Sequence, residues 1–229
     1  TRADLVVEGD FVLREEHEDP TRAVAKAALK CASGRTSTLA IDPQTPFFTA
    51  HRLQHYATNL LIDNGEELIA ACRRIKSAAE LALLTQAKAI TMQVHQTAAQ
   101  ILYPGIDTRE VQAFLDEAHI ACGMDGRSTF KIVLFGEPTA YPHGVPYPQT
   151  LTENDMVLID TGATLQGYHS DITRSYVFGE ADAHQREIWE LEQAAQRAAF
   201  NAAQIGAACS APDAAARADF RRPGLLRAD

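Results

Sequence analysis

The chain has 229 residues, of which 46% are hydrophobic and 22% charged, and a formal net charge of −9. Those are ordinary globular values, and the length suits one large domain or one domain with part of another. The acidic balance argues against nucleic acid as a default partner and reads as a solvated surface. No apolar run approaches the ~18 residues of a membrane span. The start "TRADLVVEGD" has no basic region followed by an apolar core, so no secretory signal is read there.

The first 75 residues alternate strand-like and helix-like patterns. "LVVEG" and "FVLRE" are short β-prone runs. "PTRAVAKAALKCASG" is helical, with Pro20 in its first turn and Gly34 as its stop. "STLAID" and "NLLID" read as strands, and "PFFTAHRLQHYA" and "GEELIAACRRI" as helices. The alternation implies an α/β unit with a partly parallel sheet. It begins abruptly on a strand, as the second half of a larger domain would, and the first residue is Thr, as in a processed or partial chain. A boundary is expected near Arg74 to Ser77, giving units 1–75 and 76–229.

A long helix follows, opened by a capping box from Ser77 and Glu80 and ended by Pro104-Gly105. Its apolar positions are Leu81, Leu84, Ala87, Met92 and Val94. Asp107 and Glu110 cap a second helix, which Gly123 closes. "FKIVLFG" is a strand, residues 136–150 form a Pro-rich loop, and "DMVLIDTGA" and "GYHSDITRSYVFG" are strands of one hairpin. A long helix ending at Gly206 and a short one from Ser210 complete the chain. The four cysteines, Cys31, Cys72, Cys122 and Cys209, are scattered without a C-x-x-C and are expected to be buried thiols in a reducing cytoplasm. Trp189 is expected in the core.

The hairpin carries Asp160 and Asp171. With its tip between Leu165 and Gln166, Asp160 faces Asp171, Gly162 faces His169 and Leu158 faces Thr173. Like charges so placed destabilise a sheet. Either one carboxylate takes a proton, or a cation such as Mn²⁺ sits between them, or both lie on a solvated face near Arg174.

The pattern "PHG…L…D.VLIDTGA…GYHSDITRSYVFG" resembles the metallopeptidases of the methionine aminopeptidase, prolidase and aminopeptidase P superfamily, most of all the Xaa-Pro branch. "RRIKSAAELALLTQA" is similar to that branch's interdomain junction, and "YPGIDTREV" to the loop and helix beyond it. The resemblance runs roughly from residue 20 to residue 211. It implies a partial N-terminal α/β domain of the creatinase/prolidase type, then an incomplete pita-bread catalytic domain, α/β (α+β) in class. It implies Asp160 and Asp171 as metal ligands, His143 as the active-site histidine facing substrate, and Thr173 as the residue that orients Asp171. His169, beside Asp171, is a weaker candidate for substrate contact. Two divalent ions are implied, Mn²⁺ first, with Co²⁺ or Zn²⁺ as alternatives.

The family's site also needs a His and two Glu after the two aspartates, the His in a glycine-rich "HGIG"-like stretch. This sequence carries no such stretch and ends "PDAAARADFRRPGLLRAD". His184 and Glu187, with Glu190 and Glu192, read as a solvated helix face instead of replacement ligands. His51 and His55 have i,i+4 spacing without an evident third ligand and read as surface or packing residues. The expectation is therefore an Xaa-Pro exopeptidase in family identity, acting on proline-containing peptides. This chain is expected to be truncated and inactive or nearly so. A cytoplasmic location and a homodimer are expected, with neither membrane nor nucleic acid as partner. The alternatives are a non-catalytic binding module with the pita-bread fold and a creatinase-like hydrolase without metals.

Overall fold

Asp19 starts the first helix by accepting the Thr21 N–H at 2.9 Å, with Pro20 at the first helical position. In the computed structural model, which describes residues 11–33 and 37–220, this helix is α1, Pro20–Ala32. Ser33 ends it in the left-handed conformation. The expected stop at Gly34 and the run "LVVEG" lie outside the described residues. The chain divides into two units, Thr1–Ser77 and Ala78–Asp229.

In the first unit α1 is followed by β1 (Ser37–Ile41), α2 (Phe47–Tyr56), β2 (Leu60–Asn64) and α3 (Glu66–Arg74). The two strands pair in parallel, Ser37 with Leu60 through Ile41 with Asn64. Ala25, Leu53, Ala57 and Leu60 form the buried centre. "FVLRE" is not a strand: residues 11–15 are exposed and irregular, with Leu13 93% exposed. β-propensity alone does not make a strand without a sheet to join. Cys31 and Cys72 are also exposed, as is Cys209 in the second unit, while Cys122 is half-buried. The expectation of buried thiols is corrected for those three: Cys31 and Cys72 sit on the solvent sides of their helices, and Cys209 lies in the exposed turn before the last helix.

The second unit opens with α4 (Ala78–Gln100) and α5 (Thr108–Ala121). Asp107 and Glu110 form the expected capping box of α5. Next come β3 (Phe130–Phe135), a 3-10 turn at Glu137–Ala140, and β4 (Met156–Gly162). A hairpin tip of β5 (Thr164–Leu165) and β6 (Tyr168–His169) leads to β7 (Ile172–Val177). β3, β4 and β7 make an antiparallel sheet in that order. Its alternating side chains give it two different faces. Val133, Phe135, Val157 and Ile159 point to one side and pack with Val94 and Ala98 of α4 and Val111 and Leu115 of α5. Leu158, Asp160, Thr173 and Ser175 belong to the other.

Helices α6 (Ala183–Ala202) and α7 (Ser210–Phe220) pack together after the sheet. Asp182 and Gln185 cap α6 reciprocally. Leu191 and Ala195 mark its buried stripe. Trp189 is 47% exposed, contrary to expectation. It lies two residues from Leu191, about 200° around the helix, and so off that stripe.

Gly162 sits where the sheet passes into the hairpin tip. A Cβ added there would meet the Ser170 carbonyl oxygen at 1.9 Å, and that oxygen is backbone, which cannot swing aside. Gly162→Ala is expected to destabilise the protein by about 3 kcal/mol, the upper end for overpacking. Urea denaturation monitored by far-ultraviolet circular dichroism checks this, and an unchanged midpoint would contradict the close approach.

Candidate metal centre

The tip of the hairpin sets which residues face one another. Gln166 and Gly167 both have positive φ, 51° and 79°, the signature of a two-residue type I′ turn. Asp125 accepts the N–H groups of both, each at 2.9 Å, and those amides hold its carboxyl below the usual range. Tyr168 donates its hydroxyl to Glu80 Oε1 at 2.9 Å, tying the tip to the first turn of α4.

The turn is therefore centred one residue beyond the expected tip, and every pairing moves by two positions. Asp160 faces Thr173, not Asp171; Leu158 faces Ser175, not Thr173; and His169 faces Thr164, not Gly162. The physical reason is that a type I′ turn needs both central residues at positive φ, so Gly167 must occupy its second position. Asp171 immediately precedes β7. At the two-residue period of a strand it shares a face with Thr173 and lies diagonal to Asp160. Diagonal neighbours are about 7–8 Å apart, so the like-charge problem is milder than direct opposition would make it.

Thr173 donates its hydroxyl to Asp160 Oδ1 at 2.7 Å. The expected pairing of Thr173 with Asp171 is corrected accordingly: the new register places Thr173 across from Asp160. Asp160 is half-buried and Asp171 exposed. Ile132 of β3 flanks Asp160 on its other side. Two residues along β3, Leu134 lies under Gly144, whose φ of 73° brings a Cβ position within 3.1 Å of Leu134 Cδ2. That packing sets the loop holding His143 against the face that bears Asp160. The exposed His143 lines a cleft of about 330 Å³ with Lys131, Ile132, Leu134, Tyr147 and Gln149.

Among the described residues no group of three or more His, Cys, Asp or Glu is gathered as a metal cluster. Oxygen donors of carboxylate type suit a hard or borderline divalent ion. Thr173 engages Oδ1 of Asp160 and leaves its second oxygen for ligation. The donor set thus fits part of a divalent metal centre. The other sequence candidates have surroundings of their own. His184 and Glu187 are solvent-exposed at 4.0 Å from each other. His51 stacks near Phe47 on α2, with ring centroids at 5.8 Å. His169 is exposed on β6.

Sequence reasoning missed a buried polar cluster behind the site. His119 is fully buried and its Nε2 lies 3.3 Å from Thr91 Oγ1, while Thr91 Oγ1 lies 2.7 Å from Ser170 Oγ. His95, 5% exposed, contacts the Ile172 carbonyl through Nε2 at 2.9 Å. The usable signal was spacing: Thr91 and His95 share a helical stripe with Ala87, Ile90, Val94 and Ala98, all buried. Asp116, close to His119 in the sequence, is buried and paired with Lys131. Burial works to raise its carboxyl, but Lys131 and Ser128 outweigh that and hold it low.

Burial pushes both His95 and His119 below the ordinary value of 6.5, although carbonyl hydrogen bonds from Ile172 and Leu115 partly oppose it. The unfolded chain then binds more protons than the folded one below pH 6.5. The contribution of these residues is complete above that pH and is lost as pH falls through their folded values. Urea midpoints are expected to drop between pH 7.5 and pH 5, and His119→Asn should flatten part of that drop. A midpoint that rises on acidification would contradict the neutral burial.

The geometry is thus an aspartate-bearing antiparallel sheet, packed on one face by α4 and α5 and edged by a histidine loop. The model of metallopeptidase family M24 matches residues 82–228, and the chain belongs to that family. It is 30% identical to the Xaa-Pro dipeptidase of Pyrococcus horikoshii over 179 residues, 78% of this chain and 51% of that protein. Among solved structures, the X-Pro aminopeptidase of Thermotoga maritima superposes with a TM-score of 0.82 at 25% identity, covering 95% of this chain and 61% of that one. The Pyrococcus furiosus prolidase gives 0.77 at 27%, covering 89% and 58%. The chain spans about half the length of the curated relatives it matches. The similarity supports the pita-bread class of fold, present here in part.

Proposed function

We propose that this chain carries the first half of an Xaa-Pro peptidase metal site, with Asp160 and Asp171 as ligands and His143 facing the substrate. The observation that carries the reading is Asp160, held by Thr173 on the sheet face opposite the apolar core, beside the His143 loop. The names of the relatives, an Xaa-Pro dipeptidase and an X-Pro aminopeptidase, support proline-containing peptides as the substrate class. Mn²⁺ is the proposed ion, with Co²⁺ or Zn²⁺ as alternatives. Bound there, divalent ions would acidify a water and polarise the scissile carbonyl.

The residues of this chain have distinct tasks in that scheme. Thr173 fixes the rotamer of Asp160 and leaves one carboxylate oxygen free. His143, on the loop over Leu134, offers an imidazole to the substrate where the cleft opens. His169 extends the substrate-facing side. Residues 1–75 act as part of a creatinase/prolidase-type N-terminal domain, and 76–229 as the catalytic part. A homodimer and a cytoplasmic location belong to the same reading. Two carboxylates leave most of an ion's ligand shell to water, so binding is weak, and the 229-residue polypeptide by itself turns over no substrate.

Two measurements test this. Mn²⁺ titrated into ¹⁵N-labelled protein is expected to broaden resonances around Asp160 and Asp171 first, with Asp160→Asn and Asp171→Asn each abolishing the effect. Broadening that survives both substitutions would sink the assignment. Xaa-Pro dipeptide incubated with the polypeptide and Mn²⁺ is expected to stay intact, and sustained Mn²⁺-stimulated hydrolysis would overturn the claim of inactivity.

A further inference from the structure

We infer that Thr91 and His95 of α4 are positioning residues for Asp171, gripping the chain immediately before and immediately after it. The two side chains stand one helical turn apart on the buried face of α4. Thr91 Oγ1 is 2.7 Å from the Ser170 hydroxyl, and His95 Nε2 is 2.9 Å from the Ile172 carbonyl. Asp171 is the residue between them. It is itself exposed, so its carboxylate takes its place from a backbone held on both sides instead of from packing of its own.

The hydrogen-bond directions follow from the groups that can only accept. The Leu115 carbonyl lies 3.0 Å from His119 Nδ1, so that nitrogen carries the proton. In the neutral ring Nε2 is then a lone pair, and Thr91 donates to it. Thr91 oxygen is thereby left to accept from Ser170. Ser170 Oγ in turn accepts the Ala163 N–H at 3.0 Å. The Ala163 carbonyl accepts the Ser170 N–H at 2.9 Å and, with its second lone pair, stands 3.1 Å from Ser170 Oγ, so the hydroxyl proton is shared between that carbonyl and Thr91. The contacts run without a break from Ala163 through Ser170 and Thr91 to His119. His95 is the second anchor. The Ile172 carbonyl requires its proton on Nε2, and its buried Nδ1 has no partner among the described residues. His95 thus bonds through one atom only, and that atom is the one on the strand.

The arrangement explains why two polar side chains occupy an otherwise apolar helix stripe. Valine at 91 and an aliphatic residue at 95 would pack there at least as well, and would leave residues 170–173 tied to α4 by no side chain. Ser170 also joins the two metal-site strands, because Ala163 follows the end of β4 three residues after Asp160. Thr91 consequently influences the spacing of the pair, and His95 the start of β7.

This inference rests on the metal-site reading for its consequence, but its structural half is independent of any ion. The test uses the whole chain with Thr91→Val and His95→Ala, and the conservative Thr91→Ser and His95→Gln, which keep a hydroxyl and a side-chain N–H. Amide hydrogen exchange in residues 170–173 is expected to rise about tenfold in the two deletion variants, with Val157 and Ile159 still protected. The Mn²⁺ midpoint for broadening is expected to rise about tenfold, the lower end of what such supporting residues contribute. Thr91→Ser and His95→Gln are expected to restore both values. Unchanged exchange at 170–173, or conservative variants that behave like the deletions, would overturn the inference. So would core amides that loosen in parallel with 170–173 in every variant. If exchange changes as expected while Asp171→Asn leaves Mn²⁺ broadening intact, the mount stands and the metal-site reading is what fails.

Discussion

The second unit depends on one close approach. The carbonyl of Ser170 occupies the space where any side chain at residue 162 would have to begin. Only glycine leaves that space empty, so β4 and the strand before β7 can come together at the end of the sheet. Ser170 is buried there, with its backbone N–H and its hydroxyl both used on Ala163. A buried hydroxyl without partners costs about 1–3 kcal/mol. Thr91 and His119 add to these partners, so that the buried hydroxyls of Ser170 and Thr91 are both hydrogen-bonded. The same contacts hold the two aspartates in one frame.

From that joint the sheet acquires two unlike faces. The helix-covered face is apolar and closely packed, and most of its few polar groups are hydrogen-bonded, the Nδ1 of His95 and the hydroxyl of Tyr176 excepted. The opposite face carries Asp160, Thr173 and Ser175 without helix cover, and the His143 loop approaches along its β3 side. The tip is fixed at three points, by Asp125 at the turn amides, by Glu80 at Tyr168 and by Ser170 at Ala163. A flexible hairpin could not maintain the separation of two like charges. This one is clamped from α4, from the loop after α5 and from its own backbone.

The chemistry assigned to the site follows from donor type and support. Asp160 is oriented by a hydroxyl that uses one of its oxygens. Asp171 is oriented only through its neighbours in the chain. Two carboxylates on one face favour a cation between them, and membership of family M24 agrees with that. His184, Glu187 and the acidic side chains of α6 are solvent-exposed.

Much of this was legible in the residues. Helix starts were readable because caps are local: Asp19 with Pro20, and Asp107 with Glu110, declare themselves within four residues. The sheet strands were readable from apolar runs, and the family from the D-x-G-A and S-D-I-T-R patterns. What could not be read was anything settled by a distant partner. "FVLRE" has strand composition but pairs with no strand among the described residues, Trp189 has core composition but faces off its helix's buried stripe, and three cysteines that looked like core thiols reach solvent. The register needed the turn geometry, because a shift of one residue at the tip moves each pairing by two. Thr91, His95 and His119 looked like ordinary polar residues, since only the tertiary structure brings α4, α5 and residue 170 to hydrogen-bonding distance. The sequence by itself determined most of the elements and the family, because caps, periodicity and motif act over a few residues. Which residue faces Asp160 was decided by the geometry of the turn at Gln166 and Gly167, and what holds Asp171 by packing between segments about 80 residues apart in the chain, where local pattern carries no information.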